Sequence, residues 1–144
     1  ANAQRQNIPL SLIYLDVDHF KKINDSEGHR RGDEILISVG RVLKTVCREG
    51  DTPARIGGDE FCVILPHTSD VEAQPFSERL IAEFKRVHDG AYNLSIGIAQ
   101  TGPDTFLATE DFVPHADAAM YESKKMAGCQ ITIHQPADAC LHIV

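Results

Sequence analysis

The first apolar run, Leu10-Ser11-Leu12-Ile13-Tyr14-Leu15, passes into Asp16-Val17-Asp18. An apolar run stopped by carboxylates is the pattern of a buried strand whose end meets solvent, so residues 10–18 are predicted as a strand with Asp16 and Asp18 on one face. From Asp33 onward, Ile35, Leu36, Val39, Val42, Leu43 and Val46 recur at helical spacing with polar residues between them. This predicts a long amphipathic helix. Residues 53–56 and 61–65 flank Gly57-Gly58-Asp59-Glu60, and two apolar-rich runs around such a four-residue turn predict a β-hairpin with two acids at its tip. A second helical pattern (Phe76, Leu80, Ile81, Phe84, Val87) requires Pro75 to lie near its first turn. Residues 93–100 read as a strand. Phe112, Val113, Ala116, Ala119 and Met120 predict a third helix capped by Thr109 or Asp111, and Pro114 in its first turn favours the later cap. Residues 130–134 give a last short strand.

The order strand, helix, hairpin, helix, strand, helix, strand predicts an α/β fold, a central sheet with helices packed on its faces. With 144 residues one core is expected. Residues 1–134 are read as that domain, and the patternless 135–144 as a loosely attached tail. Composition of 42% hydrophobic and 24% charged residues excludes disorder. A net charge of −7 argues against a duplex-coating protein, which needs a basic face for phosphates, so no DNA partner is expected. No apolar stretch approaches the ~18 residues of a membrane span, no secretory signal opens the chain, and no membrane contact is expected. Cys47, Cys62, Cys129 and Cys140 lack the spacing of a zinc or redox site, which points to reduced thiols and a cytoplasmic location.

Two acid clusters carry the candidate chemistry: Asp16/Asp18 at the end of the first strand and Asp59/Glu60 at the hairpin tip. If those strands are neighbours, the carboxylates converge at one end of the sheet as hard oxygen ligands for Mg²⁺ with a bound phosphate. Asp18 also reads as the N-cap of a short helix through residues 19–23. Asp16 has no such alternative, because half-burying it without a cation is costly. Acids in a turn are commonplace, but Gly57 and Gly58 before them let backbone approach a ligand closely. In the polar stretch of residues 24–33, Asn24 and Asp33 offer the amide and carboxylate needed to read a guanine edge, while by pattern alone Asp33 reads as a helix cap. Lys21, Lys124 and Lys125 are surface lysines unless a triphosphate lies near them.

Together these motifs resemble a known family. Residues 55–61 contain Gly57-Gly58-Asp59-Glu60-Phe61, the GGDEF signature; residues 16–25 resemble that family's first motif, and Gly28-His29 through Gly32-Asp33 its second. Ser95-Ile96-Gly97 and residues 116–121 continue the match in order. The chain is identified by these motifs as similar to the GGDEF domains of diguanylate cyclases. The resemblance implies a mostly antiparallel sheet flanked by helices, like the adenylyl cyclase and polymerase palm. It implies condensation of two GTP into cyclic di-GMP across a homodimer, with Mg²⁺ or Mn²⁺ as cofactor. Carried over by motif, Asp16, the Val17 carbonyl and Asp59 hold metal, and Glu60 assists in metal binding or deprotonates the attacking 3′-hydroxyl. Asn24 and Asp33 read guanine, while backbone at His19 and Phe20, with Lys21, Gly58 and Lys124, faces the phosphates. A product-binding feedback site is implied at Arg48, Asp51 and Arg79, since Arg48-Glu49-Gly50-Asp51 lies five residues before the signature. An upstream sensory domain is implied as well. Two departures stand out: only residues 1–9 precede the first strand, as in an excised fragment, and Gly128 stands where the family carries a phosphate-binding arginine. The alternative reading is therefore a weak or inactive module that binds cyclic di-GMP or GTP as a regulatory receptor.

Overall fold

A computed structural model describes residues 8–126 and 128–135. Among the described residues, five strands, β1 (Leu10–Val17), β2 (Thr52–Gly57), β3 (Glu60–Pro66), β4 (Leu94–Thr101) and β5 (Gln130–Ile133), form one sheet in the order β2-β3-β1-β4-β5. All neighbours are antiparallel except β4 and β5. The helices are α1 (Phe20–Glu27), α2 (His29–Val46), α3 (Asp70–His88) and α4 (Thr109–Lys124). The predicted fold class is the observed one.

Alternation along β1 decides which residues meet which helices. Ile13, Leu15 and Val17 enter the larger core with Ile23 of α1, Ile35 and Val39 of α2, and Leu80 and Phe84 of α3. Leu12 and Tyr14 enter a smaller core with Phe112, Ala116 and Met120 of α4. By the same period of two, Asp16 follows Leu12 and Tyr14 onto the α4 face. There Gly97 of β4 lies opposite Tyr14. A Cβ at Gly97 would collide with the Ala116 carbonyl oxygen and the Met120 nitrogen, so α4 rests directly on the strand backbone. Ser123 then fixes the end of α4 by donating to the Ile96 carbonyl at 2.8 Å and bonding Thr132 at 2.7 Å.

Several local expectations are corrected. The long helix begins at His29, not Asp33, and Gly28 precedes it with φ 92°. Asp33 is an interior helix residue, so its cap reading fails. The pattern was obscured by Gly32, whose missing Cβ makes room for the Asn24 side chain. Asp18 does not cap α1 either: His19, at φ 56°, is the N-cap without a side-chain bond, and Asp18 accepts from Ser95 Oγ at 2.5 Å. α1 runs on to Glu27, taking in Asn24 and Asp25. Pro75 lies beyond the first turn of α3, because a capping box between Ser69 and Glu72 starts that helix at Asp70. The expected later cap of α4 is also overturned: Ala108 precedes a helix starting at Thr109, and its carbonyl accepts from the backbone of Asp111 and Phe112. The hairpin is tighter than predicted, since Gly57 already pairs with Glu60 and a register shift lies between Arg55 and Gly57. Arg55 closes this turn by donating to the Gly58 carbonyl at 2.9 and 2.6 Å.

Cys47, Cys62 and Cys129 are free thiols. Cys140 and residues 136–144 of the expected tail lie outside the described residues. Among the described residues no helix is long and apolar enough to cross a membrane.

Candidate active site

The sheet register assembles the acids. Asp16 at the end of β1 is the direct partner of Glu60 at the start of β3, so the two side chains share the α4 face. Tyr14, two residues back on the same face, donates its hydroxyl to Glu60 Oε2 at 2.6 Å. Burial, then the bond to Glu60, holds the Tyr14 phenol well above its ordinary pKa, so it remains a donor. On α4, Asp117 has its carboxyl pKa raised by burial and by the negative charge of Glu60. Tyr14 thus fixes one Glu60 oxygen while Asp117 adds negative charge beside it.

Asp16 is 3% exposed. Its Oδ2 pairs with Lys124 Nζ at 2.5 Å, and its Oδ1 is buried without a hydrogen-bond partner. Burial raises the Asp16 pKa to about 6; Lys124 pulls it down, and the charges of Asp59 and Asp18 push it up. Burial alone would lower the Lys124 pKa, but the bond to Asp16 and the fields of Asp16, Asp18 and Asp59 outweigh it and raise it. Asp16, Asp18, Asp59 and Lys124 therefore form one electrostatic unit. Asp18, turned toward Ser95, stands beside the Asp16–Lys124 pair.

Two adjoining clefts open from this unit. One of about 320 Å³ is lined by Asp18, His19, Asn93, Lys124, Met126 and Gly128. The other, of about 230 Å³, shares Asp18, His19 and Asn93 and extends to Lys22, Ser26, Glu27 and Tyr92. Gly128 brings no cation to the first, whose charged walls are Asp18 and Lys124. Lys22 lines the second, and Lys21 lines neither cleft. Asn24 faces Gly32, and its Oδ1 is buried without a partner. Asp33, one residue on, is exposed.

Asp16, Val17 and Asp59 were expected to hold metal. Among the described residues no group of three or more His, Cys, Asp or Glu side chains is arranged to hold an ion by itself. Two carboxylates and a carbonyl nevertheless suit Mg²⁺, which takes one or two carboxylates and completes its sphere with phosphate and water. The bare Asp16 Oδ1 and the negative charge of Asp59 acting on the same carboxyl fit that chemistry.

Far from these acids, Asp51 accepts from the Arg48 backbone at 2.8 Å and from the Arg48 guanidinium at 3.3 and 3.4 Å. Arg48 also donates to Thr68 at 3.0 Å. Asp51 has a 2% exposed side chain, whereas that of Arg48 is 59% exposed. Arg79 lays its guanidinium over Phe76 at 5.7 Å and makes no hydrogen bond or ion pair to Arg48 or Asp51.

The family model described as diguanylate cyclase, GGDEF domain, matches residues 1–129. The chain belongs to the GGDEF family. Diguanylate cyclase A of Treponema denticola is 38% identical over 130 residues, which cover 86% of this chain and 35% of that protein. The structure of the active GGEEF domain of a diguanylate cyclase from Vibrio cholerae matches with a TM-score of 0.85 at 27% identity, covering 94% of this chain and 89% of that one. The GGDEF domain of DgcB from Caulobacter crescentus, solved in complex with cyclic di-GMP, matches with a TM-score of 0.80 at 28% identity, over 94% and 83% of the two chains. The chain spans 16% to 37% of the length of the first curated relatives it matches.

Tyr14, Ser95, Asp117 and Ser123 were not singled out as site residues from sequence. The period of two from Asp16 pointed to Tyr14. Asp117 lay within a matched motif, but its nearness to Glu60 depends on where α4 crosses the sheet.

Proposed function

We propose that this GGDEF domain condenses two GTP into cyclic di-GMP, one nucleotide per protomer of a homodimer. One observation carries the reading: Asp16, Glu60 and Asp59 come together at the sheet end, with a buried carboxylate oxygen left unpaired. Asp16, the Val17 carbonyl and Asp59 would hold Mg²⁺ or Mn²⁺, which when bound neutralises phosphate charge at the reacting centre.

The chain's own residues do the rest. Asn24 and Asp33 receive the guanine edge, the Asn24 side-chain amide supplying donor and acceptor and the exposed Asp33 carboxylate accepting. His19 and Phe20 present backbone at the start of α1, where amides are unpaired, toward the phosphates, with Lys21 nearby. Gly58 lets the hairpin backbone approach closely, its φ of 53° being readily adopted by glycine. Lys124 lines the cleft that would take the triphosphate. Glu60, its Oε2 held by Tyr14, has Oε1 left to accept the 3′-hydroxyl proton or to join the metal ligands. The 3′-oxygen of one nucleotide attacks the α-phosphorus of the other and pyrophosphate leaves. A lone protomer brings only one of the two reactants, and dimerisation supplies the alignment.

Arg48 and Asp51 are proposed to bind the product as a feedback inhibitor, with Arg79 joining from α3 when ligand is present. Gly128 favours a second reading, a weak cyclase or a receptor that binds cyclic di-GMP or GTP without turning GTP over, because the triphosphate cleft has one cation fewer. Chromatography of GTP incubated with the chain and Mg²⁺ separates the two. The cyclase reading expects cyclic di-GMP, and none from Asp59→Ala. Absence of product from the wild-type chain at all protein concentrations supports the receptor, and product surviving Asp59→Ala overturns the metal assignment.

A further inference from the structure

The ion pair within the acid cluster does more than neutralise a buried charge. Asp16 would carry a metal, yet its Oδ2 is already occupied by the Lys124 ammonium. Lys124 is the last residue of α4, and its side chain is 32% exposed, so its stem runs along the rim of the cleft while its head reaches inward. Ser123 anchors the helix beside it. The backbone is therefore fixed and the four-carbon stem is free to turn.

Resting on the proposed nucleotide site, we infer that Lys124 is an exchangeable counter-ion, seated on Asp16 until metal and nucleotide arrive together and then transferred to the triphosphate. A dication entering beside Asp16 meets an ammonium on the same carboxylate, and two neighbouring cations repel. Displacing Lys124 without a new anion strands it among partners that the metal has claimed. A triphosphate removes that obstacle by offering the ammonium phosphate oxygens within the same cleft. Metal alone therefore binds weakly and nucleotide strengthens it, a coupling that by linkage runs in both directions. No change of protonation is involved.

The test is Mn²⁺ binding, read by electron paramagnetic resonance or calorimetry, with and without a non-hydrolysable GTP analogue. Lys124→Met should bind Mn²⁺ alone at least about tenfold more tightly than the wild-type chain, because the competing cation is gone. The same variant should bind the analogue more weakly and lose most of the metal–nucleotide coupling. Lys124→Arg, which keeps a cation, should resemble the wild type. Adding Asp16→Asn to Lys124→Met should abolish the tight Mn²⁺ site. If Lys124→Met binds Mn²⁺ no better than wild type while the double variant loses it, the counter-ion role is wrong and the metal site stands. If the double variant keeps Mn²⁺, the metal assignment itself is wrong and this inference falls with it.

Discussion

A carboxylate shut into a helix–sheet interface with one oxygen unpaired is a poor choice for stability, and Asp16 is such a group. Its pKa, raised to about 6 by burial, makes the cost pH-dependent. Between the ordinary carboxylate range and pH 6 the folded chain binds more protons at this site than the unfolded chain. Stability from this group therefore falls as pH rises through that window and stays low above it. Asp16→Asn should stabilise the ligand-free protein by about 2–3 kcal/mol at pH 7.5, with the gain vanishing below about pH 4. Urea unfolding at both pH values checks this, and a gain independent of pH would point to packing instead. That Asp16 needs a cation was legible in a strand that ends on an acid. Which cation it finds was not, because Lys124 arrives through the long-range packing of α4. The cap readings of Asp18 and Asp33 failed for a related reason: N-cap preference is a local rule, and Ser95 from β4 claims Asp18 in the fold.

At the level of elements, hydrophobic periodicity located all five strands and the three longer helices, and it misplaced several ends. α3 and α4 each begin ahead of the apolar pattern, because caps and backbone bonds set a helix start and the sequence pattern reports only the buried face. The contact that positions the site within this layer is the one between α4 and β4. At Gly97 the obstacles to a Cβ are backbone atoms of α4, which cannot rotate away. Gly97→Ala should force the helix off the sheet and destabilise the chain by about 1–3 kcal/mol, the range of overpacked cores. It should also disturb the Asp16–Lys124 pair, since Lys124 rides on the displaced helix. Denaturant midpoints measure the first effect, and ¹⁵N chemical shifts around residues 14–18 and 122–124 the second. Unchanged stability would show that α4 tolerates lifting at this point.

Across the whole molecule, β2 separates the two proposed sites. Its far end follows the Arg48/Asp51 pair, and its near end runs into the hairpin that carries Asp59. Substitutions should therefore act independently at the two ends. Arg48→Ala is expected to weaken cyclic di-GMP binding by at least about tenfold in calorimetry, the loss of charge-assisted hydrogen bonds. Asp59→Ala should leave that binding within about twofold, because separated sites behave additively. Equal affinity in wild type and Arg48→Ala would remove the product site from this location. The family signature made the acid cluster legible in sequence because its motifs fall at strand ends and turns, where residue type is tied to chemistry. That Arg79 makes no bond to Arg48 or Asp51 was not legible, since it depends on how α3 packs and on whether a ligand gathers the groups.

Diffraction from crystals of this chain grown with Mn²⁺ and a non-hydrolysable GTP analogue, using the manganese anomalous signal, tests the nucleotide site most directly. The predicted result is a manganese peak within bonding distance of Asp16 and Asp59, the guanine at Asn24 and Asp33, and Lys124 moved from Asp16 to a phosphate. A nucleotide seated elsewhere, or manganese absent from Asp16 and Asp59 while the analogue is fully occupied, would contradict the account.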